Sequence, residues 1–269
     1  MATASTNEGV GPLLREWRQR RRLTQLELGL EAGVSARHLS FVETGRSKPG
    51  REMLLQVAEQ LGIPYRERNQ LLLAAGHAPA FPERPLGDPA LAPVRAALDR
   101  ILVAHEPYPA VVFDRAWNLV AINGPMSALG AGVEIDPTLL EPPINILRIG
   151  LHPGGLAPLI VNLASWRAHF LERLERQMAM TGDDSLRPLM EEVAAYPAPT
   201  DESAGTLDAE VGEMLGPLRL RTPNGGQWSF FGMFAGFDTP FEVTTSELAL
   251  ELLFPADQAT AEALKKGES

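Results

Sequence analysis

Cysteine is absent from the 269 residues, which removes disulfides and thiolate metal sites and leaves nothing that points to an oxidising compartment. Long apolar runs are absent as well. No stretch reaches the roughly 18 uninterrupted apolar residues of a membrane span, and the first eleven residues are small and polar, without the charged start and apolar centre of a secretory leader. A cytoplasmic chain with no membrane partner is expected. Catalytic patterns are equally scarce. His38, His77, His105, His152 and His169 show no metal-ligand spacing, and no Gly-x-Ser-x-Gly elbow occurs. His105-Glu106 and Asp183-Asp184 are isolated acid-containing pairs, read as a helix end and a helix start. His152-Pro153-Gly154-Gly155 lacks the following Lys-Ser or Lys-Thr of a phosphate loop and reads as a turn. No catalytic residue, metal or cofactor is assigned.

What is present suffices for two modest domains, each able to bury its own core, since 45% of the residues are hydrophobic. Charge is divided unevenly between them. Over residues 12–77, 11 lysines and arginines stand against 7 acidic residues, a net of +4, whereas the rest of the chain carries 13 against 27, a net of −14. The overall charge of −10 therefore hides a basic part that can meet phosphate.

The two parts meet in residues 78–89, where Pro79, Pro82, Pro85 and Pro89 remove backbone donors and disfavour helix before them. This segment reads as a linker. Before it, Thr24, Gly33, Ser35, Gly45, Pro49, Gly62 and Pro64 punctuate five short helices, an all-α domain over 12–77. After it, residues 90–269 read as an α+β domain. A helix is predicted over 91–104 and strands over 110–113 and 117–122, joined at Asp114-Arg115-Ala116. Long amphipathic stretches follow over 156–180 and 185–195, then a loop over 196–205. Strands are predicted over 218–221 and 227–237 around the turn signal Asn224-Gly225-Gly226, and over 246–254, where Leu248, Leu250, Leu252 and Phe254 recur with a period of two.

The most informative segment is 23–49. Thr24 with Glu27 three residues on forms a capping-box pattern, and Gly29 is small enough for the next helix to cross closely. Gly33 suits the positive φ that ends a helix, and Ser35 caps the next one. Leu39 and Val42 then face inward, which leaves Ala36, Arg37, Ser40 and Phe41 outward. A helix so presented fits the major groove of double-stranded DNA with its N-terminal residues nearest the bases. Arg37 is the first candidate for guanine, and Ala36 and Phe41 for a thymine methyl. Thr24 and Gln25, at the start of the preceding helix, and Arg46 and Lys48, in the loop that follows, are candidates for phosphate. His38 is either a DNA contact or a partly packed residue. The run Arg20-Arg21-Arg22 either meets phosphate or closes a helix near the negative end of its dipole.

Over residues 13–72 the chain resembles the XRE, or phage-repressor-like, helix-turn-helix family. Thr24-Gln25, Leu28-Gly29, Gly33-Val34-Ser35 and the run Phe41 to Pro49 carry the likeness. The resemblance implies a structural ion pair between Arg18 and Glu43, whose value lies in orientation more than in net stability. Most of 90–264 resembles the ligand-binding domain of MmyB-like regulators, on Trp117 to Asn123, Asn145 to Arg148 and Glu247 to Thr260. That resemblance implies a PAS-like fold and a small apolar ligand such as a fatty acid.

The residues themselves leave two readings of the second domain. Trp228, Phe230, Phe231, Met233, Phe234 and Phe237, with Phe113 and Trp117 able to pack across the sheet, form either plain core or the lining of an apolar pocket. Phe113, Trp117, Trp166, Phe230, Met233 and Phe234 are the candidate lining. Arg148 and Arg167 either hold an acidic head group or serve surface and acidic partners. A homodimer follows from symmetry and family habit. Two competing classes remain: a fused enzyme, which would turn over a substrate, and an antitoxin-like interaction module, which would co-purify as a tight heteromer without a small molecule.

Overall fold

The computed structural model describes residues 9–197, 217–222, 224–237 and 242–266. Most of the loop expected over 196–205, and the first eight residues, lie outside them. The chain divides into two units, the first built on residues up to Arg84 and the second on most of the chain from Pro85.

In the first unit, five helices follow the sequence punctuation: α1 (Val10–Arg20), α2 (Gln25–Glu31), α3 (Ala36–Glu43), α4 (Arg51–Gln60) and α5 (Tyr65–Ala74). Thr24 Oγ1 accepts from the Glu27 amide at 3.1 Å while Glu27 accepts from the Thr24 amide at 2.7 Å, so two orphan donors are satisfied reciprocally. These bonds hold the exposed Glu27 carboxyl below the usual range. Ser35 Oγ accepts from the His38 amide at 3.1 Å and starts α3. Between them the chain reverses at Gly33, with φ +62°. Leu14, Leu28, Leu39, Val42, Leu54, Val57 and Leu71 fill the centre, each contributing about 1.5–3 kcal/mol by leaving water.

Gly29 fixes how closely α2 and α3 approach. A Cβ there would stand 2.5 Å from the Val34 carbonyl oxygen and 3.2 Å from the Ala36 amide nitrogen, both backbone atoms that cannot swing aside. Gly29→Ala is therefore expected to cost about 1–3 kcal/mol despite alanine's better helix propensity. Urea unfolding of the full chain checks this, and an unchanged or raised midpoint would contradict the close crossing.

The proline-rich segment is ordered at both ends. Asn69 accepts from the amides of Ala80 and Phe81 and donates to the Phe81 carbonyl at 2.7 Å, and Phe81 stacks on Tyr65 with ring centroids 4.1 Å apart. Its first half is thus folded onto α5. The second half caps a 3-10 turn through Asp88, which leads into α6 (Ala92–His105).

The second unit is an α+β domain. Its strands are β1 (Ala110–Phe113), β2 (Leu119–Ile122), β3 (Leu218–Arg221), β4 (Gln227–Ala235) and β5 (Ala249–Pro255). They form one antiparallel sheet in the order β2-β1-β5-β4-β3. The helices are α6, α7 (Gly124–Leu129), α8 (Ile146–Leu151), α9 (Leu163–Thr181), α10 (Arg187–Ala195), α11 (Val243–Ser246) and α12 (Gln258–Lys266). The last strand in sequence is the central one, flanked by both hairpins. One face, with Ala110, Val112, Leu248 and Leu250, packs on Leu98 and Leu102 of α6. By the period of two, Val111, Phe113, Glu251 and Leu253 take the other.

Three sequence expectations are corrected. Strand β2 begins at Leu119 rather than at residue 117, because Trp117 has φ +64° and its amide bonds back to the Asp114 carbonyl at 2.9 Å. The amphipathic stretch over 156–180 is broken near its start: Ile160 bridges to Leu220, and Asn162 bonds Pro217 and Arg219, which postpones α9 to Leu163. Residues 246–248 are a helix end and turn before β5.

Candidate functional site

Helix α3 presents its outer face as its periodicity demands. Leu39 and Val42 are fully buried at 0% exposure, whereas Arg37 is exposed and Ala36, His38, Ser40 and Phe41 are half-buried. The Arg37 guanidinium lies 5.4 Å from the Phe41 ring centroid, so the aromatic helps hold it along the helix. Thr24, Ser35, Arg46 and Lys48 are exposed around this face.

Behind α3 a charged network fixes its C-terminal end. Arg18 Nε donates to Glu43 Oε1 at 2.7 Å, and Nη2 to Oε2 at 2.9 Å. Arg18 Nη1 donates to the Leu23 carbonyl at 2.7 Å. Burial alone would raise the Glu43 carboxyl, but the bonds from Arg18 and Gln25 outweigh it and hold it below the usual range. Gln25 was expected to reach phosphate through its side chain. Its amide nitrogen donates one of its two hydrogens to Glu43 Oε2 at 2.8 Å, which leaves the second hydrogen and the backbone amides of this helix start for an outside acceptor.

The run Arg20-Arg21-Arg22 serves the helix end. Arg20 pairs with Glu16 at 2.6 Å, Arg21 donates to the Leu61 carbonyl at 2.8 Å, and Arg22 takes the left-handed conformation that ends α1.

In the second unit Phe113, Trp117, Phe170 and Phe234 gather on one side of the sheet, whereas Phe231 stacks on Phe254 on the other and Phe237 packs with the cluster around α6. Trp117, 1% exposed, stacks on Phe113 at 4.7 Å and meets Phe170 of α9 edge-on at 5.6 Å and Phe234 at 6.3 Å. Trp166 joins through Phe170 at 5.2 Å. Phe230 is fully buried on the face shared with Phe234. Met233 is not in this group: it pairs with Leu252 on the opposite face and is 48% exposed. The run 227–237 carries apolar residues on both faces, so its composition did not reveal which side each would take.

Both expected head-group arginines have partners within the unit. Arg148 is paired bidentately with Glu192, and that bond first of all raises the guanidinium and lowers the carboxyl. The charge expected for a ligand is thus matched internally. Arg167 donates to the Tyr196 carbonyl. The loop at 152–155 is a tight turn, since a Cβ at Gly155 would stand 2.1 Å from the Ile149 carbonyl oxygen.

Two residues beside the aromatics were not singled out from sequence. Glu251, 6% exposed, sits in the central strand opposite Val111 of β1 and Phe234 of β4. Arg173 of α9 lies with its guanidinium 3.4 Å from the Phe234 ring centroid. Glu251 in an otherwise apolar strand was the available signal. A groove of about 460 Å³ is lined by Arg66, Asn69, Gln70 and Leu73 of α5 and by residues 79–83.

No helix among the described residues is long and apolar enough to cross a membrane. Residues 94–266 match the family described as MmyB-like transcription regulator ligand binding domain, and residues 14–68 match the family described as Helix-turn-helix. A curated relative, the uncharacterized HTH-type transcriptional regulator RghRB of Bacillus subtilis (strain 168), is 32% identical over 114 residues, which are 42% of this chain and 73% of that protein.

Proposed function

This chain belongs to the MmyB-like transcription regulators, with a helix-turn-helix for DNA and a ligand-binding domain behind it, and on that premise we propose that α3 reads its operator through Arg37. The supporting observation is the orientation of α3: Leu39 and Val42 are fully buried while Arg37 is exposed near the helix start. There its planar fork can take guanine O6 and N7 together. Ala36, Ser40 and Phe41 flank it for base edges. Thr24, Gln25, Ser35, His38, Arg46 and Lys48 position the backbone.

In this reading the regulator is a cytoplasmic homodimer on two half-sites about one helical turn apart, with a PAS-like second domain. That domain takes a small apolar molecule with a fatty-acid-like chain. The aromatic group around Trp117 supports an apolar site there, and ligand binding would act by favouring one dimer geometry over another.

Arg37→Ala is expected to weaken operator binding by about 1–3 kcal/mol and to relax preference at one base position. Titration of the full chain against a panel of single-base operator variants checks this. An equal loss on every sequence would move Arg37 to the phosphates and overturn its role in reading.

A further inference from the structure

A carboxyl taken out of water needs a partner, and one carboxyl in the second unit has none at its inner oxygen. Glu251 lies in the middle strand with Val111 on one side and Phe234 on the other, and its Oε1 is buried without a hydrogen-bond partner among the described residues. Room for it comes from the neighbouring strand, where a Cβ at Gly232 would stand 3.2 Å from Oε1. Burial pushes this carboxyl up to about 7, opposed by the charge of Arg173.

Arg173 does not close the pair. Its guanidinium rests on Phe234, 3.4 Å from the ring centroid, and 5.8 Å from that of Trp117, and burial lowers its affinity for a proton. An acceptor and a cation thus border the same aromatic group, and the acceptor has an open bond. A position serving packing alone would be met by leucine, as at Leu250 and Leu253 on the same strand. An unpartnered acceptor gains its bond only when a donor arrives.

We propose that Glu251 and Arg173 are the polar end of the ligand site, and that the ligand is an apolar molecule ending in a hydroxyl or primary amide. Such a group donates to Glu251 and accepts from Arg173. A plain fatty carboxylate brings no donor and sets a second negative charge beside Glu251. The inference rests on the reading of this domain as a sensor and specifies the head group it accepts.

The test compares decanamide, decanol and decanoate on the purified full chain at about pH 8, above the value of about 7 for Glu251. Native mass spectrometry reads occupancy and calorimetry reads affinity. Decanamide and decanol are expected to bind about tenfold or more tighter than decanoate. Glu251→Leu should erase that difference while raising the Tm of the unliganded protein, because an unpartnered carboxyl gives way to a side chain suited to the core. Glu251→Gln keeps an acceptor oxygen in the same space and should retain part of the preference, which covers the case in which leucine disturbs the sheet. Decanoate binding as tightly as the amide, with both variants unchanged, would overturn this head-group assignment and leave the sensor reading standing. No adduct with any of the three would overturn the sensor reading and this inference with it.

Discussion

Glu43→Ala is expected to destabilise the first unit by about 3–5 kcal/mol, the scale for removing one partner of a buried ion pair. The side chains of Arg18 and Glu43 are 11% and 2% exposed, so the substitution strands a largely buried guanidinium whose remaining bond is to the Leu23 carbonyl. The Gln25 amide loses its acceptor as well. Paired replacement by Arg18→Met with Glu43→Leu should recover most of the loss, because what is costly is the uncompensated charge rather than the absence of the pair. Hydrogen exchange across residues 10–43 of the full chain reads the unit directly. Equal protection in the wild type and the Glu43→Ala variant would contradict the account.

The same pair sets an acid limit. Glu43 is held below its ordinary value of 4.5 in the folded state, so its contribution is fully present above that value and is lost as pH falls through the lower folded one. The bond to Glu43 raises the Arg18 guanidinium still further above its ordinary range, and its share is present throughout the neutral range. Acid unfolding of the first unit should therefore lose much of its steepness in Glu43→Ala.

The five helices were legible because their signals are local. Thr24 with Glu27, Ser35 with the His38 amide, and Gly33 at its turn each act within four residues, where spacing alone decides the bond. The second domain was legible only in its element types. Its central strand is the last in the chain, so burial on both faces depends on pairing with β1, more than 130 residues earlier. The period of two in 248–254 predicted the strand yet said nothing of a helix covering the face on which Glu251 stands. Arg173 and Glu251 are likewise brought together by packing across that sheet. Gln25 shows the same limit at short range: a side chain at a helix start has both an outside phosphate and an inside carboxylate within reach. The fold supplies the carboxylate from α3.

Trp117→Ala is expected to cost the second unit about 3–5 kcal/mol, as for deletion of a large buried aromatic. Trp117 is 1% exposed and joins Phe113 on the sheet to Phe170 on α9, so its removal opens a void between two layers. Its backbone gives the prediction a second arm. At φ +64°, an L-residue is disfavoured by about 1–2 kcal/mol, and alanine keeps that penalty because it keeps the Cβ. Glycine does not. Trp117→Gly should therefore be more stable than Trp117→Ala by about 1 kcal/mol, although both lose the ring. The Asp114 carboxylate, which accepts from the amides of Ala116 and Asn118, holds the turn in either variant. Urea unfolding of both proteins, with hydrogen exchange over residues 110–122, separates the two contributions. An alanine variant within 1 kcal/mol of the wild type would mean that the layers close over the gap. A glycine variant less stable than alanine would show that the left-handed turn relaxes once the ring is gone.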